Sequence, residues 1–136
     1  VLFDLINSNR LEERQTFFVH GGVDAEDRER VREITELENN AIIVASYGTF
    51  STGINIKNLH NIIFASPSKS RIRNLQSIGR VLRKGNNKTK ATLYDIADDT
   101  TYKSRRNYTL NHLIERLKIY NYEKFNYDII NISFKK

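Results

Sequence analysis

Four short apolar runs recur along the sequence, each bounded by glycine, proline or polar turn residues. Their continuous apolar character, rich in β-branched residues, is typical of strands buried on both faces of a parallel sheet. The runs therefore predict the strands of one core. They are "TFFV" within 16–22, "AIIVAS" at 41–46, "NIIFAS" at 61–66 and "ATLYDIAD" at 91–98.

The segments between these runs carry apolar residues at the helical period. The opening "VLFDLI" predicts a helix, and Asp24 is placed to cap a second helix that ends at Asn39-Asn40. A third helix is predicted from about Ser70 to Lys84. Strands that alternate with helices indicate an α/β fold, a parallel sheet with helices on both faces. In this architecture ligands collect at the carboxyl ends of the strands.

The pattern changes after residue 98. The segment 102–125 predicts a long, basic, tyrosine-rich helix, and "NYDIINISF" at 126–134 alternates as a strand does. We therefore expect a core domain at 1–98 and a helix and strand extension at 99–136 that packs on it. The tyrosines could stack on bases, although packing on the core is the simpler explanation. The apolar stripe of the helix consists of Leu110, Leu113, Ile114 and Leu117.

Composition narrows the classes of protein and of site. The chain has 136 residues and 39% hydrophobic content, which suits one globular domain. It has no cysteine and three scattered histidines, so we expect a reducing compartment and no metal site. No apolar run approaches the roughly 18 residues of a membrane span, and the start lacks the cationic region of a signal peptide. We expect a cytoplasmic protein without a membrane partner. Because an initiator Met is missing, we also expect the chain to begin inside a longer protein.

Charge is distributed unevenly along the chain. The net charge is +6, but residues 1–68 hold 6 Lys/Arg against 10 Asp/Glu, whereas residues 69–136 hold 16 against 6. The stretch 69–90 contains cations and no anion. Such asymmetry suggests a polyanionic partner, either nucleic acid, nucleotide phosphates or an anionic membrane surface. A solvated basic face would have the same composition.

The predicted helix at 70–84 concentrates this charge on one face. With successive residues 100° apart, Leu75, Ile78 and Leu82 form one stripe, and an opposite stripe of roughly 80° carries the polar residues. Aligned guanidinium groups suit phosphate, because they donate bidentate hydrogen bonds as well as charge. Gly79 lies on neither stripe, as expected if a ligand or another backbone approaches closely. The alternative is an ordinary basic solvent face. The polar stripe consists of Arg73, Gln76, Arg80 and Arg83.

Three segments, in this order, resemble sequence motifs of superfamily 2 helicases. They are "FFVHGGVDAEDRERV" (17–31), similar to motif IVa, "ASYGTFSTGINIKNL" (45–59), similar to motif V, and "QSIGRVLR" (76–83), similar to motif VI, Q-x-x-G-R-x-x-R. Details of these segments, and "EKFNY" in the tail, further resemble the bacteriophage UvsW helicase family. The resemblance covers residues 17–98 and implies a RecA-like fold for this part of the chain.

The resemblance implies the second RecA-like domain of an ATP-dependent DNA helicase or translocase, acting in recombination, repair or remodelling of forks and branches. ATP with Mg would be bound mainly by a first RecA-like domain, whose Walker A and Walker B motifs this sequence lacks. The family has a motif IV strand before the first helix, so we expect a domain truncated at its N-terminus. Because the Walker motifs are missing, we expect it to be inactive alone. The expected location becomes the host-cell cytoplasm if the protein is phage-encoded.

The nucleotide-binding roles of the family carry over to matching positions in motifs V and VI. Arg83 matches the arginine finger, Arg80 a second γ-phosphate contact, and Gln76 the residue that senses the γ-phosphate and the attacking water. Asn55 stands where aspartate is commoner, so its contact would lack the carboxylate charge. The remaining nucleotide-binding positions are assigned to Gly53, Asn55 and Gly79.

The resemblance also implies a nucleic-acid site that contacts the backbone and so selects shape rather than base sequence. The expected partner is DNA, branched or duplex, with or without RNA. Simpler roles exist, because Ser46 could cap the following turn, His20 could satisfy a strand end, and Gly21-Gly22 could only form a turn. The assigned residues are Ser46, His20, Gly21 and Arg73.

Two main functions remain open at the level of sequence, beside a third alternative, an anion-binding regulatory domain without DNA contact. The first is the helicase domain, whose further expected partner is the N-terminal RecA-like domain of the same protein. The second is a stand-alone nucleic-acid-binding module, in which Arg73, Arg80 and Arg83 hold phosphate groups without ATP chemistry. A Walker A loop upstream of Val1 would favour the first function.

Overall fold

The computed structural model describes residues 1–49, 56–65, 90–105 and 107–134. These residues form helices and short strands, and the four strands lie within the four apolar runs of the sequence. The predicted helix at 70–84 lies outside the described residues. The elements are α1 (Leu2–Asn9), β1 (Thr16–Val19), α2 (Ala25–Leu37), β2 (Ile42–Ala45), β3 (Asn61–Phe64), β4 (Thr92–Asp95) and α3 (Tyr108–Tyr122).

Helix α2 begins and ends where its sequence signals predict. The Asp24 carboxylate accepts a hydrogen bond from the Asp27 N–H at 2.8 Å, which satisfies one unpaired donor of the first turn. At the other end, the Asn58 side-chain amide donates to the carbonyls of Thr35 (3.3 Å) and Glu38 (3.1 Å). The end of the motif V-like segment is therefore attached to the C-terminal turn of α2, where free carbonyls need donors.

Strands β1 and β2 form a parallel pair in which Thr16 lies opposite Ile42 and Val19 lies opposite Ala45. The ladder continues past the strand end, because the Ser46 N–H donates to the Val19 carbonyl at 3.1 Å. Parallel pairing places both carboxyl ends at one edge. The residues that follow each strand are consequently neighbours.

Strands β3 and β4 form the second pair. The Thr92 N–H donates to the His60 carbonyl at 2.9 Å, and the Ile96 N–H donates to the Phe64 carbonyl at 3.2 Å. From the first bond to the second, the residue numbers increase on both strands, so this pair is also parallel. The predicted α/β fold with parallel strands is confirmed, with the difference that the described strands form two separate two-stranded sheets.

The chain divides into two compact units. The first comprises Val1–Ile63 and Ser77–Tyr94, and the second comprises Phe64–Gln76 and Asp95–Lys136. In the first unit, Val19 and Ile56 are fully buried, and they are surrounded by partly buried apolar side chains from α2, β2 and the end of the motif V-like segment. Those neighbours are Val31, Ile43, Ala45 and Leu59. The predicted division at residue 98 stays a prediction.

In the second unit, the C-terminal helix is shorter than predicted. It begins at Tyr108 rather than near Tyr102, which forms an antiparallel bridge with Arg105 around Lys103 at φ 54°. This left-handed residue interrupts any helix that would start earlier. The Asn107 side chain donates to the Asp98 carbonyl at 2.7 Å and so ties the helix start to the segment after β4.

The predicted strand at 126–134 is wrong, since none of these described residues forms a strand. The apolar side chains of the segment are exposed, from 61% for Ile129 to 92% for Phe134. Alternation of apolar and polar residues makes a strand only where a neighbouring strand supplies backbone partners. The described part of the chain supplies none here.

Candidate nucleic-acid interface

The edge at the carboxyl ends of β1 and β2 brings together two residues that sequence reasoning assigned to nucleic acid. His20 follows Val19 and Ser46 follows Ala45, and these strand-final residues lie opposite each other in the ladder. Both His20 and Ser46 are exposed. The two strand ends are therefore neighbours, as predicted, and Gly21 follows His20 at the same edge.

The imidazole of His20 is held by a hydrogen bond of its own loop. Its Nδ1 accepts from the Gly22 N–H at 3.1 Å, and the His20 carbonyl accepts from the Val23 N–H at 3.0 Å. A backbone N–H can only donate, so Nδ1 carries a lone pair and the ring proton of the neutral form lies on Nε2. One ring nitrogen of His20 thus satisfies a backbone donor at the strand end. This is part of the simpler role considered for His20.

Aromatic neighbours support this ring. The centroids of Phe18 and His20 lie 4.9 Å apart with the planes inclined by 44°, and Phe3 of α1 stacks on Phe18 at 5.3 Å. Contacts in this distance range are favourable for aromatic pairs. The row Phe3–Phe18–His20 therefore restricts the orientation of the imidazole from the side of β1.

The two glycines after His20 differ in their surroundings. A Cβ at Gly22 would lie 3.0 Å from Cε1 and 3.2 Å from Nδ1 of His20, whereas a Cβ at Gly21 would meet nothing within 4 Å. Gly22 is consequently needed for the close approach of the imidazole to the backbone. Gly21 faces open space beside His20.

Ser46 has a local partner as well as an exposed position. Its hydroxyl lies 2.8 Å from the hydroxyl of Thr49, a residue that is 4% exposed. A hydroxyl has one donor and two acceptor sites, so this bond leaves Ser46 able to bind another group. This bond joins two side chains, so the turn-capping role considered for Ser46 stays a prediction, and the bond does not prevent an external contact.

Helix α2 carries alternating charges that pair with one another on its surface. Arg32 lies 2.6 Å from Glu29, and Arg30 lies 3.5 Å from Asp27. The hydrogen bond from Arg32 lowers the pKa of the Glu29 carboxyl. Such exposed pairs contribute little to stability and behave as a solvated face.

The second unit contains a buried polar cluster that was not predicted from the sequence. Arg116 of α3 donates two hydrogen bonds to the Asp95 carboxylate, from Nε at 2.7 Å and from Nη2 at 2.8 Å, and the Tyr120 hydroxyl donates a third at 2.6 Å. Burial, followed by the bond to Asp95, raises the pKa of Tyr120 well above its ordinary value. The available signals were an aspartate inside an apolar strand run and an Arg–Tyr pair spaced by one helical turn.

All residues of the predicted nucleotide site lie outside the described residues. Among the described residues there is no cluster of His, Cys, Asp or Glu that could hold a metal ion, and no helix is long and apolar enough to cross a membrane. Ser46, His20 and Gly21 are the assigned residues that the structure describes. The residues outside the described ranges are Gly53, Asn55, Arg73, Gln76, Gly79, Arg80 and Arg83.

Comparison with known proteins identifies relatives of the chain. It is 44% identical to the "ATP-dependent DNA helicase uvsW" of Enterobacteria phage T4 over 93% of the chain and 26% of that protein. It is 35% identical to "Putative helicase 22" of a Sulfolobus islandicus filamentous virus over 50% of the chain and 12% of that protein. The chain thus spans about a quarter or less of the length of these relatives. No solved structure gives a significant match.

The family model described as "Helicase conserved C-terminal domain" matches residues 3–85. This range contains α1 to β3, the edge with His20 and Ser46, and all three motif-like segments. Domains of this family are RecA-like, in agreement with the parallel strand pairs and flanking helices. Because the match covers more than half of the chain, the chain belongs to the family of helicase conserved C-terminal domains.

Proposed function

We propose that this chain is the second RecA-like domain of an ATP-dependent superfamily 2 DNA helicase or translocase that remodels forks or branches in recombination and repair. The observation that carries the proposal is the edge where His20 and Ser46 become neighbours inside the family-matched range. An edge at the carboxyl ends of parallel strands is the expected ligand position in an open α/β sheet. The similarity to a phage DNA helicase supports DNA as the polyanion.

On this proposal the chain supplies one half of an ATP site. ATP with Mg would be bound mainly by a first RecA-like domain and would gate closure of the two domains, and on closure Arg80 and Arg83 would complete the site for phosphoryl transfer. The donor set of motif VI fits a triphosphate, because guanidinium and amide groups donate to phosphate oxygens. Arg83 and Arg80 would stabilise charge on the γ-phosphate, Gln76 would orient the attacking water, and the glycines would admit the nucleotide.

The DNA side of the proposal rests on the described edge. The backbone would run across His20, Gly21 and Ser46, with Arg73 adding a charged contact from the motif VI helix. DNA that is branched, duplex or paired with RNA presents the same phosphate backbone, so these contacts discriminate by shape. Because both relatives are viral proteins, the proposal places the enzyme in the cytoplasm of the infected host cell.

The decisive experiment is Arg83→Ala in the two-domain helicase, with Lys90→Ala as the matched control. Lys90 is an exposed cation at the end of the same basic stretch and has no assigned role. We expect Arg83→Ala to lower DNA-stimulated ATP hydrolysis by about 10³-fold or more, since an arginine finger is worth that much. DNA affinity should stay nearly unchanged in both variants.

Two results would contradict parts of the proposal. Full turnover by Arg83→Ala would remove the arginine-finger assignment. Loss of DNA affinity in that variant, with no ATPase activity in the wild type, would favour the stand-alone nucleic-acid-binding module. That module should bind DNA with a steep dependence on salt.

A further inference from the structure

We propose that His20 binds DNA as a neutral hydrogen-bond donor, with Nε2–H directed to a phosphodiester oxygen while Nδ1 holds the Gly22 amide. This inference rests on the proposed function, and it specifies the atom, the protonation state and the ligand group. The two ring nitrogens of His20 have different hydrogen-bonding roles. Nδ1 is occupied by the Gly22 N–H at 3.1 Å. Protonation of Nδ1 would remove the lone pair that makes this bond.

The remaining donor of the neutral ring is Nε2–H, and its direction decides which groups it can reach. The two N–H positions of an imidazole point to opposite sides of the ring, so Nε2–H is directed away from the Gly22 amide. No residue in the described ranges accepts a hydrogen bond from Nε2. His20 is exposed at this position. The donor is therefore available to an external acceptor.

Neighbouring groups fix the orientation of the His20 ring. Phe18 contacts the imidazole with a centroid distance of 4.9 Å, and the backbone at Gly22 lies so close that a Cβ there would approach Cε1 to 3.0 Å. A ring held between these groups loses little freedom when a ligand binds. Preorganised donors of this kind bind more tightly, because the ordering cost is already met in the free protein.

The groups next to His20 favour a ligand group that accepts hydrogen bonds. Next to His20 at this edge are Ser46, which follows the neighbouring strand, and Gly21, where a Cβ would meet no described atom within 4 Å. A phosphodiester oxygen only accepts hydrogen bonds, which matches an N–H donor and a hydroxyl. The space at Gly21 lets a sugar-phosphate backbone approach the loop closely.

The neutral state has a measurable consequence. A cation that neutralises a phosphate releases a counterion and adds about 0.7 to 0.9 to the slope of log affinity against log salt. A neutral donor contributes affinity without this release. Removing the His20 contact should therefore weaken binding by the same factor at every salt concentration.

Two substitutions separate the ring nitrogens. His20→Asn places an oxygen near the position of Nδ1, so the Gly22 bond is kept and the Nε2 donor is lost. His20→Gln places an amide donor near the position of Nε2, so the donor is kept and the Gly22 bond is lost. We expect His20→Asn to weaken DNA binding by the two-domain helicase about tenfold, as for a lost bond to a charged group. His20→Gln should bind several-fold more tightly than His20→Asn.

The measurement is fluorescence anisotropy with a labelled DNA duplex over a series of salt concentrations. Support requires the tenfold loss in His20→Asn with an unchanged salt slope. Wild-type affinity in His20→Asn would overturn the inference, and so would a slope reduced by nearly one, which indicates a cationic contact. A wild-type protein that does not bind DNA would contradict the proposed function itself.

Gly22→Ala provides an independent test in which His20 is kept. The added Cβ would displace the imidazole, since its closest ring atoms would lie at 3.0 and 3.2 Å. We expect a loss of DNA affinity similar to that of His20→Asn, with an unchanged salt slope and a melting temperature within a few degrees of the wild type. Unchanged DNA affinity in Gly22→Ala would overturn the claim that the held ring makes the contact.

Discussion

The buried cluster of Asp95, Arg116 and Tyr120 leads to a sharp prediction about stability. Arg116 is 1% exposed, and the side chain of Asp95 is 10% exposed. They are joined by two hydrogen bonds of 2.7 and 2.8 Å, in the bidentate geometry that makes an Arg–carboxylate pair strong. The perturbation is Arg116→Met, which keeps a long apolar side chain and removes the charge.

The expected cost follows from what remains in the cluster. The Asp95 carboxylate would keep the Tyr120 hydroxyl as a partner at 2.6 Å but lose the cation. Removal of one partner from a buried ion pair costs about 3–5 kcal/mol, because the other charge stays buried and uncompensated. Arg116 Nη1 is itself buried with no hydrogen-bond partner among the described residues, so the loss of this donor should place the cost toward the lower end.

Replacement of both charges provides an internal check. In the double variant Asp95→Val with Arg116→Met no uncompensated charge remains, and such exchanges are often neutral or stabilising. We therefore expect the double variant to be more stable than Arg116→Met alone. Lys118→Met is the matched control, since Lys118 lies on the same helix in an exposed pair with Glu115. Its cost should stay below about 0.5 kcal/mol.

The assay is urea denaturation of the chain, followed by far-ultraviolet circular dichroism. The free energy of unfolding is compared at equal slope with urea, so that a change in midpoint reports a change in stability. A loss below about 1 kcal/mol in Arg116→Met would refute the reasoning, as would a double variant whose loss equals the sum of the two single losses.

Two further predictions concern the core and the tyrosine. Ile56 is fully buried, so Ile56→Ala should cost about 2–5 kcal/mol in the same urea assay, whereas Ile63→Ala, at a 63% exposed position, should cost far less. Equal losses would contradict the assigned core. The raised pKa of Tyr120 means that the folded state keeps this phenol neutral, while the unfolded state ionises above about pH 10. Stability should therefore fall as pH rises through 10, and less steeply in Tyr120→Phe. Parallel pH profiles of the two proteins would contradict this assignment.

Local signals explain the elements that could be predicted from the sequence. Asp24 caps α2 because its carboxylate reaches an N–H only three residues away, and the apolar runs form strands where their length and β-branching favour an extended backbone. The proximity of His20 and Ser46 followed from a general rule of parallel sheets. These inferences depend on neighbours in sequence or on a property shared by all such folds.

Long-range partners explain the errors. The alternating segment 126–134 has the pattern of a strand, but the described chain offers no strand to pair with it. Helical periodicity predicted only the apolar stripe of α3, which the structure leaves partly buried, because it counts only apolar residues. The structure buries Arg116 and Tyr120 more completely, since Asp95 on a distant strand compensates their polar groups.

By itself the sequence determined the helicase family motifs, the four described strands with the first two helices, and the candidate residues at the strand ends. Only the tertiary structure decided which atoms of those residues are free to act. His20 could have been a cation, a structural residue or a donor. The bond from the Gly22 N–H and the contact with Phe18 select the Nε2–H donor, because hydrogen-bond direction and ring packing depend on positions in space that a residue pattern does not specify.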